Sequence, residues 1–279
     1  MLTVAAACTP LFVSEEARSI GAVMRTRLVP PFSRDALGAW HLLGTDAFGR
    51  DLLVRLLMGA RISLFVGVAG SMLSAVLGIA LGALAGWRGG LTNRAIVAVA
   101  DALLAVPRLV LLLVVAALWS PGLDVVIVVL GLTGWMSVMR LVRAEVQGVR
   151  LLSYVEGAMA LGVPSARVLR RHVLPNALGS ALVATTLGVA NAIVMESGLS
   201  FLGLGVQPPT ASWGNMIAGG REWLLVAPWI ALMPGLALVV TVVCVTIVGE
   251  RLSGGQASPT GATRVSPAPS APPAVLPRN

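Results

Sequence analysis

The sequence predicts an all-α protein, a polytopic bundle of transmembrane helices, and three observations lead to this fold class. Hydrophobic residues make up 57% of the chain and charged residues only 11%, whereas a soluble domain carries roughly 25% charged residues. Several stretches with little or no charge are long enough to cross the hydrocarbon layer as a helix, which takes about 20 residues. The arginines gather between these stretches, as expected of residues that orient a membrane protein.

Five stretches qualify as membrane spans, and charged residues occur deep within only two of them. The spans cover residues 62–87, 95–119, 123–139, 177–203 and 223–248. The first span has no charge and holds glycines whose small size allows close contact with a neighbouring helix, namely Gly67, Gly70, Gly78, Gly82 and Gly86. We therefore expect a tightly packed bundle.

The chain divides into three parts. Residues 1–61 are predicted to be the truncated remnant of a first membrane helix followed by an extracytoplasmic segment, residues 62–250 to be the membrane domain, and residues 251–279 to be a disordered cytoplasmic tail. The remnant has too few apolar residues to cross unaided, and a start codon placed too far downstream and a true truncation both explain it. A signal peptide is disfavoured because no positive segment precedes the apolar one. The tail, rich in Pro, Ala and Ser, cannot bury a core.

Arginine placement predicts the orientation. The segment from Arg140 to His172 holds six arginines against two glutamates, so we assign it to the cytoplasm, and alternation puts the C-terminus there as well. Residues 14–61 disagree, because seven arginines and five acids fall on a segment that this alternation puts outside. Longer segments cross with less regard to charge, and the acids offset many of the arginines locally, so we keep this orientation.

Residue content disfavours several kinds of site. The sequence contains no lysine, so a phosphate-binding loop of the G-x-x-x-x-G-K-[ST] type cannot form and we expect no enzymatic activity. A net charge of +8 would favour nucleic acid in a soluble protein, but here the arginines lie at the ends of apolar stretches. The two cysteines lie in apolar surroundings, which supports neither a disulfide nor a metal site.

The motif GTDAFGRD, residues 44–51, contains an acidic pair, Asp46 and Asp51. The motif holds no histidine and no further carboxylate, so we expect no metal there. A turn-forming role is predicted instead for Gly44, Asp46 and Gly49.

Charges inside the spans indicate polar sites, because a charge left in lipid is costly. Glu196 either lines a cavity or holds helices together. Asp101 and Arg108 are seven residues apart, so on one helix they would share a face about 10 Å apart, with Pro107 between them as a kink. They either flank a path or are structural charges that face the bundle or snorkel.

The cytoplasmic segment 153–175 carries the most informative pattern: Glu156, Gly157, Ala158, Gly162 six residues after the glutamate, and then Leu174 and Pro175. It resembles the E-A-A…G…L-P coupling loop of ATP-binding-cassette (ABC) importer permeases, with Gly157 where the motif has its second Ala. The resemblance implies a short helix that docks in a cleft of an ATPase subunit. Glu156 suits a helix start, and Gly162 followed by Val163-Pro164 suits a helix stop. A generic amphipathic connector is the alternative.

Longer stretches narrow the resemblance, which runs from about residue 41 to about residue 250. They are HLLGTDAFGRDLLVRLLMGARISLFVG at 41–67, LVRAEV at 141–146, RRHVLPNAL at 170–178 and LSFLGLGVQPPTASWGNMI at 199–217. Together they look like the C-type permease subunit of dipeptide, oligopeptide and nickel ABC importers. This implies the type I permease fold, a bacterial inner-membrane location and peptides as substrates, with nickel as the alternative.

The same resemblance implies the partners. They are a homologous permease that completes a heterodimer, two ABC ATPase subunits and an extracytoplasmic substrate-binding protein. The chain itself would bind no cofactor, because ATP is used by the partner subunits. A self-contained secondary transporter is the rival class, but it would need several deep ion ligands and usually repeated halves, whereas this chain has one deep carboxylate candidate and no obvious repeat.

The letters LSGGQ at residues 252–256 read like the signature of ABC ATPases. A working signature belongs to an ATPase fold with a phosphate-binding loop, and here it runs into the Pro-rich tail. The family resemblance puts a cytoplasmic turn at this point, so we interpret LSGGQ as accidental.

The loop at residues 205–223 contains prolines and glycines that break helical hydrogen bonding, so it must lie on the outer surface or plug a cavity. By resemblance this face receives the binding protein, with Trp213, Gly214 and Asn215 as candidate docking residues. Trp213 and Trp223 are either such contacts or anchors at the membrane interface.

Overall fold

The computed structural model describes residue 23 and residues 25–254, apart from the side chains of residues 253 and 254. The predicted helix remnant at the start of the chain, and the predicted tail beyond residue 254, lie outside these described residues. The described chain is helical apart from loops and one short hairpin, which confirms the all-α fold class. Its helices are α1 (Leu52–Arg88), α2 (Gly90–Leu104), α3 (Arg108–Ala117), α4 (Leu123–Arg150), α5 (Ser153–Ala160), α6 (Ser165–Val168), α7 (Leu174–Phe201), α8 (Trp213–Gly220) and α9 (Trp229–Gly254).

Short elements connect these helices. Strands β1 (Ser33–Arg34) and β2 (Trp40–His41) form an antiparallel hairpin before α1. A π-helical turn, Leu169–Val173, joins α6 to α7, and a 3-10 turn, Arg221–Trp223, follows α8. Below, "the α8 end" is the end of the bundle where α1 and α4 begin, and "the α5 end" is the end where they finish.

Four helical stretches are long and apolar enough to cross a membrane: α1, α4, the stretch Ser165–Phe201, and α9 as far as Leu252. The α2–α3 pair passes the same test only as a unit bent by 88°. Four of the five predicted spans are therefore found as helices, and the bent α2–α3 pair stands where the span at residues 95–119 was predicted. Helix α1 begins upstream of the predicted residue 62 because Asp51 caps it, accepting a hydrogen bond from the Val54 N–H at 3.1 Å.

The bent pair corrects one expectation. Pro107 lacks an N–H and disfavours helical geometry at Val106, so the chain breaks between α2 and α3 where only a kink was predicted. Asp101 therefore lies in α2 and Arg108 begins α3. The prediction that these two charges share one helix face is wrong.

Helices α1 and α4 run parallel and pack through glycines of α1. Backbone oxygens of α4 lie 2.7–2.9 Å from where a Cβ would stand on three of these glycines: Trp135 O for Gly78, Met139 O for Gly82 and Arg143 O for Gly86. The other two predicted glycines, Gly67 and Gly70, face Ile193 of α7 and Leu130 of α4 at similarly close range. The predicted tight packing is confirmed.

Glu196 is fully buried where α1, α7 and the start of α8 meet. Its carboxylate accepts hydrogen bonds from the hydroxyls of Ser63 at 3.0 Å and Ser200 at 2.7 Å. Each hydroxyl in turn accepts a backbone N–H, from Trp213 at 3.2 Å and from Val206 at 3.1 Å. Because each of these donors points toward the carboxylate, backbone dipoles act on it through the two serines.

The segment before α1 folds over the α8 end around His41. The buried imidazole bridges two carboxylates, with Nδ1 2.7 Å from Asp51 Oδ2 and Nε2 3.3 Å from Asp35 Oδ2. Burial raises the pKa of Asp35, but hydrogen bonds from the Ala39 N–H, His41 and the Leu37 N–H outweigh it and hold that pKa below its ordinary value. These contacts link the hairpin to the start of α1.

The predicted turn-forming role of GTDAFGRD is confirmed. Asp46 Oδ1 accepts hydrogen bonds from the N–H groups of Phe48 and Arg50, both at 2.9 Å. Gly44 and Gly49 have φ angles of +81° and +70°, a region that side chains disfavour. The Trp229 indole N–H donates to the Thr45 carbonyl at 3.3 Å, so this turn is also joined to the start of α9.

The packing of α1 on α4 predicts opposite effects for two glycine substitutions. Gly82→Ala should destabilise the protein by about 1–3 kcal/mol, because the new methyl group meets backbone that no rotamer change can move away. Gly148→Ala is the matched control: its added Cβ meets nothing within 4 Å, and alanine should favour the helix by up to about 1 kcal/mol. Thermal unfolding in detergent, followed by helical circular dichroism, measures both. Equal shifts in Tm would contradict this account of the α1–α4 contact.

The buried carboxylate predicts a second stability effect. Glu196→Gln keeps the size of the side chain but introduces an amide N–H₂ among groups that already donate toward it, so at least one donor loses its partner. We expect a loss of about 1–3 kcal/mol. Glu222→Gln, at an exposed position, should leave Tm nearly unchanged. A Glu196→Gln protein as stable as the wild type would show that the network does not need an acceptor at both carboxylate oxygens.

Candidate functional site

The candidate coupling segment forms the short helix α5, as predicted. Glu156 lies in its first turn. Gly162 follows the helix with φ +82°, and its N–H donates to the Met159 carbonyl at 3.0 Å while the Val163 N–H donates to the Ala158 carbonyl at 3.2 Å. Gly162 is thus a left-handed C-terminal stop, a conformation that glycine adopts at no steric cost.

One face of α5 is open. Leu161 is 86% exposed and Leu151, just before the helix, is 75% exposed. Glu156 and Gly157 are exposed between them, and a Cβ at Gly157 would meet nothing within 4 Å. The departure from the resembled motif at Gly157 therefore changes the helix propensity and the surface of α5 but no internal contact.

The opposite face of α5 is anchored in the bundle. Val155 is fully buried in a cluster whose members come from α4, α6, the π-helical turn and α7: Val146, Val149, Val168, Val173 and Ala177. The Asn176 side chain, in the first turn of α7, donates to the Tyr154 hydroxyl at 3.2 Å and to the His172 carbonyl at 2.8 Å. A displacement of α5 must therefore move the beginning of α7 or the end of α4.

Leu174 and Pro175 open α7. Leu174 is half-buried and Pro175 exposed. The Leu174 N–H donates to the Leu169 carbonyl, so the π-helical turn continues into α7, and Pro175, which has no N–H to donate, falls in the first turn after it. These two residues therefore lie where the π-helical turn passes into α7, inside the apolar stretch Ser165–Phe201.

The two carboxylates predicted within the spans lie in different surroundings. Asp101 forms a salt bridge with Arg140 of α4, and the two side chains are 53% and 52% exposed in the single chain. Glu196 is enclosed at the α1–α7–α8 junction, so its side chain reaches no open surface of this chain. The structure therefore favours the helix-holding interpretation for Glu196 and does not bring the two carboxylates together.

The candidate docking residues need a correction. Trp213 is fully buried, and its indole N–H donates to the Leu56 carbonyl at 3.1 Å, so it is neither an exposed docking contact nor an interface anchor. Gly214 is buried against the backbone of Ser197, which comes within 2.5 Å of where a Cβ would stand. Asn215 is half-buried. Its side-chain oxygen accepts the Ser212 N–H at 3.0 Å and so completes a capping box at the start of α8, and its amide N–H₂ donates to the Thr210 carbonyl at 2.8 Å.

Sequence reasoning missed the residues that complete these sites. Ser63 and Ser200 hold Glu196, but a serine in an apolar stretch gives no sign of its partner. Arg140 was read only as an orientation signal, although it pairs with Asp101. His41 lies just outside GTDAFGRD and binds its second aspartate.

Comparisons with known proteins agree with this geometry. Residues 78–255 match the protein family described as "Binding-protein-dependent transport system inner membrane component". The chain is 40% identical over 212 residues to the oligopeptide transport system permease protein OppC of Bacillus subtilis, covering 76% of this chain and 70% of that one. It is 38% identical over 213 residues to the dipeptide transport system permease protein DppC of the same organism, covering 76% and 67%.

A solved structure supports the fold. An inward-facing form of the MetNI methionine ABC transporter matches with a TM-score of 0.59 at 19% identity, covering 73% of this chain and 95% of that one. The type I fold of ABC importer permeases is thereby confirmed. The family match at residues 78–255 and the 40% identity to OppC show that this chain belongs to the family of binding-protein-dependent transport system inner membrane components.

Proposed function

We propose that this chain is a permease subunit of an ABC importer and forms, with a homologous permease, the translocation path for dipeptides and oligopeptides. The observation that carries the proposal is the 40% identity to an oligopeptide permease over 76% of the chain. Nickel import within the same family is the alternative. The named relatives, both peptide permeases, favour peptides.

Energy would come from two ABC ATPase subunits that dock at the α5 end. Leu151 and Leu161 offer an apolar surface there, with Glu156 between them, while Val155 on the other face is packed in the bundle. A docking surface joined to membrane helices in this way suits the transmission of motion. The chain itself would bind no cofactor and catalyse no reaction, because ATP is used by the partner subunits.

The proposed orientation puts the α5 end in the cytoplasm. The exposed arginines of this end support it, since positive residues favour the cytoplasmic side: Arg88, Arg94, Arg150, Arg167, Arg170 and Arg171. Helix α9 runs from the α8 end toward the α5 end, so the C-terminus would also be cytoplasmic. The α8 end would then face the extracytoplasmic binding protein.

Trp213 and Gly214 are buried, so Asn215 is the docking candidate that remains on that outer face. Its amide also donates to the Val206 carbonyl at 3.1 Å, and it thereby holds the exposed loop at residues 207–210. We propose this loop as the docking contact, with Trp213 and Gly214 supporting it from inside.

The proposed path runs along the face that carries Asp101 and Arg140. An exposed ion pair within the membrane region is stable beside water or another subunit but not beside lipid. A self-contained secondary transporter is disfavoured because Glu196 is enclosed by serine hydroxyls and offers no open ion site.

The coupling role of α5 predicts the loss of a partner. Leu161→Asp replaces an exposed apolar side chain with a charge, so it should reduce the co-purified ATPase subunits at least about tenfold while leaving the fold intact, since that side chain packs on little within the chain. Leu91→Asp, also at the α5 end and 81% exposed, is the matched control and should keep the ATPases bound. Mass spectrometry of the tagged complex from native membranes measures both. ATPases that stay bound to the Leu161→Asp protein would overturn the assignment of α5.

Substrate class can be tested in cells that lack other peptide and nickel importers. Cells with the complete complex should accumulate a labelled tripeptide, whereas uptake of labelled nickel should match that of cells without the complex. Gly162→Asp should abolish the tripeptide uptake, because an L side chain at φ +82° strains the stop of α5. Nickel uptake that depends on the complex, without peptide uptake, would establish the alternative.

A further inference from the structure

Arg108 is a cation in the interior of the membrane region. It follows the break between α2 and α3, and its guanidinium lies beside Gly134 of α4 and near Ser74 of α1. A Cβ built on Gly134 of α4 would lie 3.1 Å from Arg108 Nη2 and 2.2 Å from the hydroxyl oxygen of Ser74 on α1. The absence of a side chain at Gly134 therefore makes room for the guanidinium.

The lengths of the neighbouring helices place the Arg108 guanidinium deep in the membrane region. Gly134 is about 16 Å along α4 from Leu123 at the α8 end, and Ser74 is about 21 Å along α1 from Arg88 at the α5 end. The hydrocarbon layer is about 30 Å thick, so the guanidinium lies near its middle.

No counter-charge accompanies Arg108 among the residues that the structure describes. Its Nε is buried without a hydrogen-bond partner. The two other deep charges that could compensate it are engaged, since Asp101 pairs with Arg140 and Glu196 binds serines. The Ser74 hydroxyl donates to the carbonyls of Leu130 and Gly131. A cation at this depth without an anion is costly, so the site as this chain builds it is incomplete.

The site also opens to the face proposed as the path. Leu104 and Val106, on either side of the break, are 42% and 39% exposed. Non-helical backbone at membrane depth is tolerated only where protein covers it or where it lines a water-filled cavity. The exposed Asp101–Arg140 pair lies on the same α2–α4 side of the bundle.

We propose that Arg108 binds the carboxylate group of the transported peptide on its way through the membrane. Every unmodified peptide carries a C-terminal carboxylate, and the planar guanidinium matches that group with two parallel N–H donors. The carboxylate supplies the missing anion only while substrate is present, which suits a transient site. This inference rests on the proposed function, since it assumes that peptides are the substrate.

The test uses the complete complex, with both permeases, the ATPases and the binding protein, reconstituted in liposomes. Uptake of labelled trialanine is measured with saturating binding protein for the wild type, Arg108→Gln and Arg108→Lys. We expect the Gln variant to lose about tenfold or more in uptake rate, since it keeps much of the length but loses the charge. The Lys variant should lose less than the Gln variant, because it keeps the charge but lacks the two parallel N–H donors. Arg94→Gln, exposed at the α5 end, is the control and should transport normally.

Co-purification of the second permease is measured on the same variants, because a carboxylate of that permease is the other anion that would pair with Arg108. If Arg108→Gln releases the second permease, Arg108 pairs with a subunit and the inference is wrong. Unchanged trialanine uptake in Arg108→Gln, or equal losses in the Gln and Lys variants, also overturns it. Failure of the wild-type complex to import trialanine would instead count against the proposed function.

Discussion

The hydrocarbon of a membrane offers no hydrogen bonds, and the structure of this chain follows from that constraint. Polar groups within the spans must find partners in the protein. Glu196 does so through serine hydroxyls and the backbone at the start of α8, and Asp101 through Arg140. Because the partners lie on different helices, these contacts also fix how the helices are arranged.

The same constraint explains how the two ends of the chain differ. At the α8 end, the Glu196 network and the contacts of His41 attach the loops of that end to α1 and α7 by buried polar bonds. At the α5 end, α5 is held by the side chain of Val155 and by the Tyr154–Asn176 hydrogen bond, while most of its surface is free. The two ends thus differ in how much of their surface is tied to the bundle by buried polar bonds.

Much of this fold was predictable from the sequence, because apolar length and arginine placement are local signals. The membrane stretches, the short helix at Glu156 with its stop at Gly162, and the turn at Gly44–Gly49 were predicted in place. The complete break of the helix at Pro107 was not predictable, since a proline in an apolar stretch can kink a helix or end it, and the surrounding packing decides which occurs. The burial of Trp213 escaped prediction because its partners at Leu56 and Ser63 are about 150 residues away in the chain.

The contact between α1 and α4 limits how this protein can change in evolution. At most close contacts in a protein core the residues can change in pairs, because a larger side chain on one helix is compensated by a smaller one on the other. At Gly78, Gly82 and Gly86 the atoms met include a carbonyl oxygen of α4 beside valine side-chain atoms, and every residue type carries that oxygen, so no substitution on α4 can make room for a methyl group on α1. A second substitution therefore cannot compensate for a larger residue at any of these three positions. Only a shift of one whole helix would make room for it.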